Sequence, residues 1–113
     1  MRMGVVKIDN MKAELIYRMK DVTPGGEIME MVIWKVPEPV PPCSHGFKYR
    51  LVYIVEHRRV VGFDNERGKG DHKHIGEIEH SYRFESLDQL IEDFIAAVSD
   101  WRAENEANTD DYS

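Results

Sequence analysis

The chain has 113 residues, of which 42% are hydrophobic, so it can form one folded core and is too short for two domains. Its formal net charge of −6 disfavours non-specific coating of nucleic acid, although a local cluster of cations can still bind phosphate. No apolar run approaches the roughly 18 residues that cross a bilayer, and the charged start lacks the apolar core of a signal peptide. The single cysteine, Cys43, excludes an internal disulfide and is typical of the reducing cytoplasm, where we expect the protein to act.

The first third of the chain has the pattern of a β-hairpin. Residues 11–20 and 27–36 each alternate between apolar and polar side chains, which is typical of strands with one buried face. Residues 23–26 (TPGG) between them have the composition of a turn. Residues 1–10 precede this hairpin, and we expect them to be an N-terminal extension.

A proline-rich segment, residues 37–42, predicts a stiff connector, because proline cannot donate to a strand ladder. Residues 47–56 are the strongest predicted strand, with Tyr49, Leu51 and Tyr53 on its apolar side. Residues 59–63 return as a fourth strand. Residues 75–84 form a fifth, with His80 on its apolar side and expected in the core. Residues 64–76, between the last two strands, are predicted as a long loop.

The C-terminal part has the signature of a capped helix. Ser86 and Gln89 have the spacing of an N-terminal cap, and apolar residues recur at helical spacing from 87 to 101. The predicted fold is α+β, an antiparallel sheet of about five strands with a C-terminal helix packed on one face. Residues 11–104 form this domain, and residues 105–113 are expected to be an acidic, flexible tail. Charge is uneven, since residues 84–113 sum to −8 and the preceding residues to +2.

The segment 64–76 carries the densest chemistry in the chain. If its second half is extended, His72 and His74 point to one side, and Asp71 and Lys73 to the other. Imidazoles titrate near neutrality and suit proton transfer, while a lysine between two glycines suits a phosphate contact. The candidate catalytic residues are His72, His74, Lys69 and Asp71. The candidate substrate-binding residues, which include a cationic rim, are Arg58, Arg59, Asp64, Arg67 and Lys73.

Other interpretations of this segment stay open. Two histidines one residue apart also ligate metals, with help from Asp64, Glu66 or Asp71. The chain offers no third and fourth ligand at a known zinc spacing, so we expect no metal and no cofactor. Two solvated histidines in a polar loop are the remaining interpretation. The spacing of a P-loop is missing, which excludes nucleotide hydrolysis of that type.

Four segments of the chain resemble the TumE family of toxins from toxin–antitoxin systems. They are residues 11–18 (MKAELIYR), 30–37 (EMVIWKVP), 49–53 (YRLVY) and the segment ending in 67–74 (RGKGDHKH). The resemblance covers residues 11–101 and implies a small cytoplasmic toxin encoded beside a helix-turn-helix antitoxin.

Together with the residue chemistry, the resemblance predicts a toxin that is a metal-independent endoribonuclease. One of His72 and His74 removes the proton from a ribose 2′-OH, the other protonates the leaving oxygen, and Asp71 or Asp64 orients an imidazole. The alternatives are a non-catalytic module that binds nucleic acid or the antitoxin, and a metal-dependent phosphodiesterase. RNA is the expected target, no membrane is involved, and either a homodimer or a toxin–antitoxin hetero-oligomer is expected.

Overall fold

Six antiparallel strands and one helix make up the part of the chain that the structure describes. The computed structural model describes residues 12–110, with side chains through residue 106. The elements are β1 (Glu14–Val22), β2 (Ile28–Lys35), β3 (Phe47–Val55), β4 (Arg58–Glu66), β5 (Gly70–Ile75), β6 (Ile78–Ser81) and α1 (Leu87–Asp110). Each strand pairs with its neighbours in chain order, so the sheet is a meander from β1 to β6. No helix between residues 12 and 110 is long and apolar enough to cross a membrane.

The predicted α+β architecture is confirmed, with one strand more than expected. The long loop predicted for residues 64–76 is wrong, because β4 continues to Glu66 and β5 begins at Gly70 after a turn of three residues. Residues 64–74 carry polar side chains on both faces of the sheet, so they lack the apolar alternation that predicts the other strands. The helix continues past residue 104 to Asp110, while residues 1–10 and 111–113 of the predicted extension and tail lie outside the described residues.

The core lies between the helix and one face of the sheet. The fully packed core residues are Met31, Ile33, Tyr49, Leu51, Tyr53, Val61, Phe63, Leu90, Phe94 and Val98.

Two predictions about single residues have different outcomes. Ser86 caps the helix as predicted, since its hydroxyl accepts the backbone N–H of Gln89 at 3.1 Å. His80, which we expected in the core, is exposed, because β6 is an edge strand and all four of its residues are exposed.

The strand register decides which side chains lie on the face opposite the helix, here called the open face. Phe63 packs against Phe94 of the helix, with ring centroids 5.9 Å apart, so its neighbour Asp64 points to the open face. Asp64 pairs with His72, and Gly62 pairs with His74. Side chains of directly opposed residues share a face, so both imidazoles lie on the open face. They therefore share one side of the strand, as the sequence predicted for an extended segment.

Candidate functional site

An open cleft of about 550 Å³ lies on the open face beside His74. Its volume is within the range of small-molecule sites in proteins, about 300–1,000 Å³. Three arginines, one imidazole and two carboxylates surround the cleft, which therefore suits an anion that also exchanges protons. The lining residues are Arg50, Arg58, Arg59, His74, Gly76, Glu77 and Glu79.

Local backbone geometry brings Arg59 into this cleft. β3 and β4 are joined at Glu56 and His57, which have φ values of 51° and 67°, the positive values of a tight hairpin turn. The register of this pair of strands shifts next to the turn. Ile54 pairs with Arg59, which is one residue away from the partner that a regular ladder would give it. Such a bulge re-aims a side chain, and here it places Arg59 on the open face. Gly62 leaves room for it, because a Cβ there would lie 2.8 Å from the Cδ of Arg59.

His74 and Glu79 form an acid–base pair at the edge of the cleft. They pair across β5 and β6, and His74 Nε2 lies 3.6 Å from Glu79 Oε1. Lys69 donates to the same carboxylate oxygen at 3.0 Å, and this hydrogen bond is the main reason why the pKa of Glu79 lies below its usual value. Burial, and then the nearby Arg59 guanidinium, lower the pKa of His74. In the free protein, the carboxylate is therefore ionised and the imidazole is biased toward its neutral form.

His72 lies deeper than His74 and faces Asp64. Its side chain is 5% exposed, and its Nε2 lies 2.6 Å from Asp64 Oδ1. On the other side of the ring, Nδ1 lies 3.1 Å from the carbonyl oxygen of Gly70. The two imidazole rings are nearly perpendicular, with centroids 5.2 Å apart, so the buried ring of His72 packs against the ring of His74.

A second, smaller hollow of about 240 Å³ adjoins the cleft and shares Arg50 with it. Val32 and Trp34 give it apolar walls, which contrast with the charged cleft. Lys48 lies on its rim and donates to the backbone carbonyl of Asn65, and burial lowers the pKa of its amino group. The open face therefore combines a charged region and an apolar region that meet at one guanidinium.

The structure separates some predicted site residues from this face. Asp71 points to the helix side, where Oδ1 accepts from the Tyr49 hydroxyl at 2.6 Å and lies 2.8 Å from His45 Nε2. Asp71 is therefore directed at His45 rather than at the His72–His74 pair. Lys73 is also on the helix side, with its amino group 5.9 Å from the centroid of the Phe63 ring. Arg67 lies in the turn between β4 and β5.

Cys43 belongs to the same helix-side cluster as Asp71. It is buried, and burial is the main cause that raises the pKa of its thiol, which disfavours a reactive thiolate. His45, to which the sequence assigned no role, packs against Phe84 with ring centroids 3.8 Å apart. These contacts indicate a structural role for the cluster.

Sequence reasoning missed three charged residues of the cleft, Arg50, Glu77 and Glu79. Arg50 lies on the polar side of the strand whose apolar side was identified through Tyr49 and Leu51. The alternation itself could have identified Arg50, because the polar residues of this strand must lie on the face of the sheet opposite its apolar residues. Glu79 gave no such signal, since its meeting with His74 depends on the β5–β6 register.

Comparison with known proteins identifies the class of this chain as a toxin. A family model described as "Toxin TumE" matches residues 5–102. The chain belongs to the TumE toxin family, which confirms the resemblance seen in the sequence and implies an antitoxin partner. No curated protein and no solved structure matches the chain.

Proposed function

We propose that this toxin is a cytoplasmic, metal-independent endoribonuclease that cleaves RNA in the cleft of the open face. The observation that carries the proposal is the placement of an imidazole and a carboxylate, His74 and Glu79, in a cleft lined by three arginines. Proton-transfer groups beside guanidinium groups suit a phosphodiester, which needs both charge stabilisation and acid–base catalysis. A helix-turn-helix antitoxin is the proposed partner, and a toxin–antitoxin hetero-oligomer is the proposed assembly.

Arg50, Arg58 and Arg59 bind the phosphate. Guanidinium groups bind phosphate oxygens through paired hydrogen bonds, and they stabilise the charge that develops on those oxygens during cleavage. The adjoining hollow accepts the neighbouring base, because Val32 and Trp34 give it apolar walls against which a base can lie. Arg50, which lines both regions, fixes the phosphate relative to the base.

Glu79 and His74 carry the proton transfers. Glu79, which Lys69 helps to hold ionised, takes the proton of the ribose 2′-OH, and that oxygen attacks the adjacent phosphorus. The bond to the 5′-oxygen breaks, and the His74 imidazolium gives its proton to the departing oxygen. A phosphate between Arg59 and His74 offsets the repulsion by the guanidinium and so favours the protonated imidazole. The products are a 2′,3′-cyclic phosphate and a free 5′-hydroxyl.

His72 and Asp64 lie beside His74 and hold its ring in position for the proton transfer. His72 is too deeply buried to contact RNA directly, but its ring packs edge-on against His74. We therefore assign only one of the two proton transfers to a histidine, whereas the sequence analysis assigned one transfer to each of His72 and His74. His74 and Glu79 act on the substrate, and His72 positions the ring of His74.

The test is cleavage of an RNA transcript by purified toxin in the presence of EDTA. The wild type is expected to cut the transcript and to leave a DNA strand of the same sequence intact, because DNA lacks the 2′-OH. His74→Gln and Glu79→Gln are each expected to reduce cleavage by at least about 100-fold. His80→Gln, a change at an exposed histidine outside the cleft, is the matched control and is expected to cleave at the wild-type rate.

Thermal unfolding of each variant shows whether the fold is kept. Folded His74→Gln that cleaves at the wild-type rate would remove the proposed mechanism. Protein that binds and shifts RNA without ever cutting it would indicate the non-catalytic module instead. Cleavage that EDTA abolishes would indicate a metal-dependent phosphodiesterase.

A further inference from the structure

Asp64, His72 and His74 form a compact set of metal-binding groups. Each offers one ligand atom, and these atoms all lie within 4.8 Å of one another. The set follows from strand geometry, because His72 and His74 share a face of β5 and Asp64 is the partner of His72 on β4. Two imidazoles and one carboxylate are a donor set that suits transition metals such as Zn²⁺ better than Mg²⁺ or Ca²⁺.

The orientation of His72 leaves a nitrogen lone pair for a cation. Since the carbonyl of Gly70 can only accept a hydrogen bond, the ring must carry its proton on Nδ1, which lies 3.1 Å away. In the neutral ring, Nε2 then has a free lone pair and points toward Asp64. Metal-binding histidines are commonly oriented by such a hydrogen bond from the other ring nitrogen. The side chain is 95% buried, so water does not compensate for a missing partner.

Asp64 presents the matching acceptor. Its Oδ1 is buried and has no hydrogen-bond donor among the described residues, because the contact with His72 Nε2 lacks hydrogen-bond alignment. Two electron-rich atoms 2.6 Å apart repel each other unless a cation, either a proton or a metal ion, neutralises them. His74 adds a third donor beside this pair.

We infer that Asp64, His72 and His74 bind one Zn²⁺ ion, and that the bound ion inhibits RNA cleavage. Ligand atoms about 2.0–2.2 Å from tetrahedral zinc are roughly 3.4 Å apart, so small side-chain rotations complete the site. The ion occupies a ring nitrogen of His74, which is then unable to transfer a proton. The metal site stands independently, whereas the inhibition rests on the proposed function.

The helix-side cluster of Cys43, His45 and Asp71 is the rival site, because its ligand atoms also lie within 4.8 Å of one another. Its carboxylate already has partners, since Asp71 Oδ1 lies 2.6 Å from the Tyr49 hydroxyl and 2.8 Å from His45 Nε2. Burial and the raised pKa of the Cys43 thiol oppose the deprotonation that zinc binding requires. The open-face site, with its unsatisfied oxygen, therefore binds the ion in preference.

Calorimetric titration of EDTA-treated, dialysed toxin with ZnCl₂ tests the site. One ion per chain is expected for the wild type, for the control Cys43→Ser and for the control His80→Gln. Asp64→Asn, which keeps the side-chain shape, and His74→Gln are expected to weaken binding by at least about tenfold. Absence of zinc binding by the wild type, or wild-type affinity in both ligand variants, would overturn the metal site. Loss of binding in Cys43→Ser alone would assign the ion to the rival cluster and would also overturn it.

A parallel assay follows transcript cleavage as ZnCl₂ is added to metal-free wild type. Cleavage is expected to fall in step with the site occupancy measured by calorimetry, and EDTA is expected to restore it. Full cleavage at saturating zinc, or cleavage that appears only with zinc, would overturn the inhibitory role. Stoichiometric zinc binding by a protein that never cuts RNA would reject the proposed function and leave the metal site standing.

Discussion

Asn65 shows how one buried side chain completes the sheet beside the site. It is fully buried just beyond the last pair of β3 and β4, where Oδ1 accepts the backbone N–H of Tyr49 at 2.9 Å. Its Nδ2 donates to the carbonyl of Phe47 at 2.7 Å. Asn65→Ala leaves both backbone groups without this partner. We expect the free energy of unfolding, measured by urea denaturation, to fall by about 2–3 kcal/mol.

The matched control for this prediction is Asn105→Ala, at an exposed asparagine that donates to the carbonyl of Trp101. Its expected effect is within about 0.5 kcal/mol, as for most exposed positions. A similarly small loss in Asn65→Ala would show that water replaces the side chain and that the backbone groups are not truly buried.

At the scale of single residues, the sequence predicted what depends on neighbours in the chain. The shared face of His72 and His74 follows from strand alternation alone. The partners of these histidines depend on the register of other strands, which residue spacing does not encode. For this reason Asp71 was assigned to the imidazole pair, while Glu79 and Arg50 were missed.

The β4–β5 hairpin, which carries the histidines, depends on two glycines in its turn. Gly68 and Gly70 have φ values of +87° and +79°, a region that side chains with a Cβ rarely adopt. A Cβ at Gly70 would lie 3.2 Å from Pro42 Cγ, whereas a Cβ at Gly68 would meet nothing within 4 Å. Gly68→Ala is therefore expected to cost backbone strain alone, about 1–2 kcal/mol, and Gly70→Ala is expected to cost more.

Urea denaturation of the two variants measures this difference, with Gly68→Ala as the control for backbone strain. Equal decreases in the free energy of unfolding would mean that the proline-rich connector shifts to accommodate the added Cβ without an energetic penalty. A larger loss in Gly70→Ala would show that the connector supports the hairpin, as does the hydrogen bond from the N–H of Gly68 to the carbonyl of Pro41, at 2.9 Å.

At the scale of elements, prediction succeeded where one face of an element is apolar. The helix and the strands around Tyr49 and Leu51 bury such a face against the core, and their periodicity predicts them. The β4–β5 hairpin carries Asp64, His72 and His74 on one face and Asp71 and Lys73 on the other. A strand that is polar on both faces resembles a loop in sequence, so the most chemically dense segment was assigned the wrong structure.

Over the whole molecule, the fold places the acidic helix on one side of the sheet and the three arginines of the cleft on the other. The acidic excess of residues 84–113 lies mostly in the helix, while Arg50, Arg58 and Arg59 surround the cleft on the open face. In the sequence, the acidic excess is visible only as a stretch at the C-terminal end of the chain. The structure adds that the sheet lies between the acidic helix and the arginines of the cleft. The three guanidinium groups give a phosphate a local binding site even though the chain as a whole is negative.

RNA binding is therefore expected to depend on where a cation lies and not on net charge alone. Arg59→Ala removes a cation from the cleft, and Lys12→Ala removes one from an exposed position outside it. The affinity for single-stranded RNA, measured by filter binding over a range of salt concentrations, is expected to fall in Arg59→Ala. Its logarithmic salt slope is expected to decrease by about 0.7, the value for one lost phosphate contact. Since both variants carry the same net charge, equal weakening by Lys12→Ala would show that RNA responds to overall charge and does not occupy the cleft.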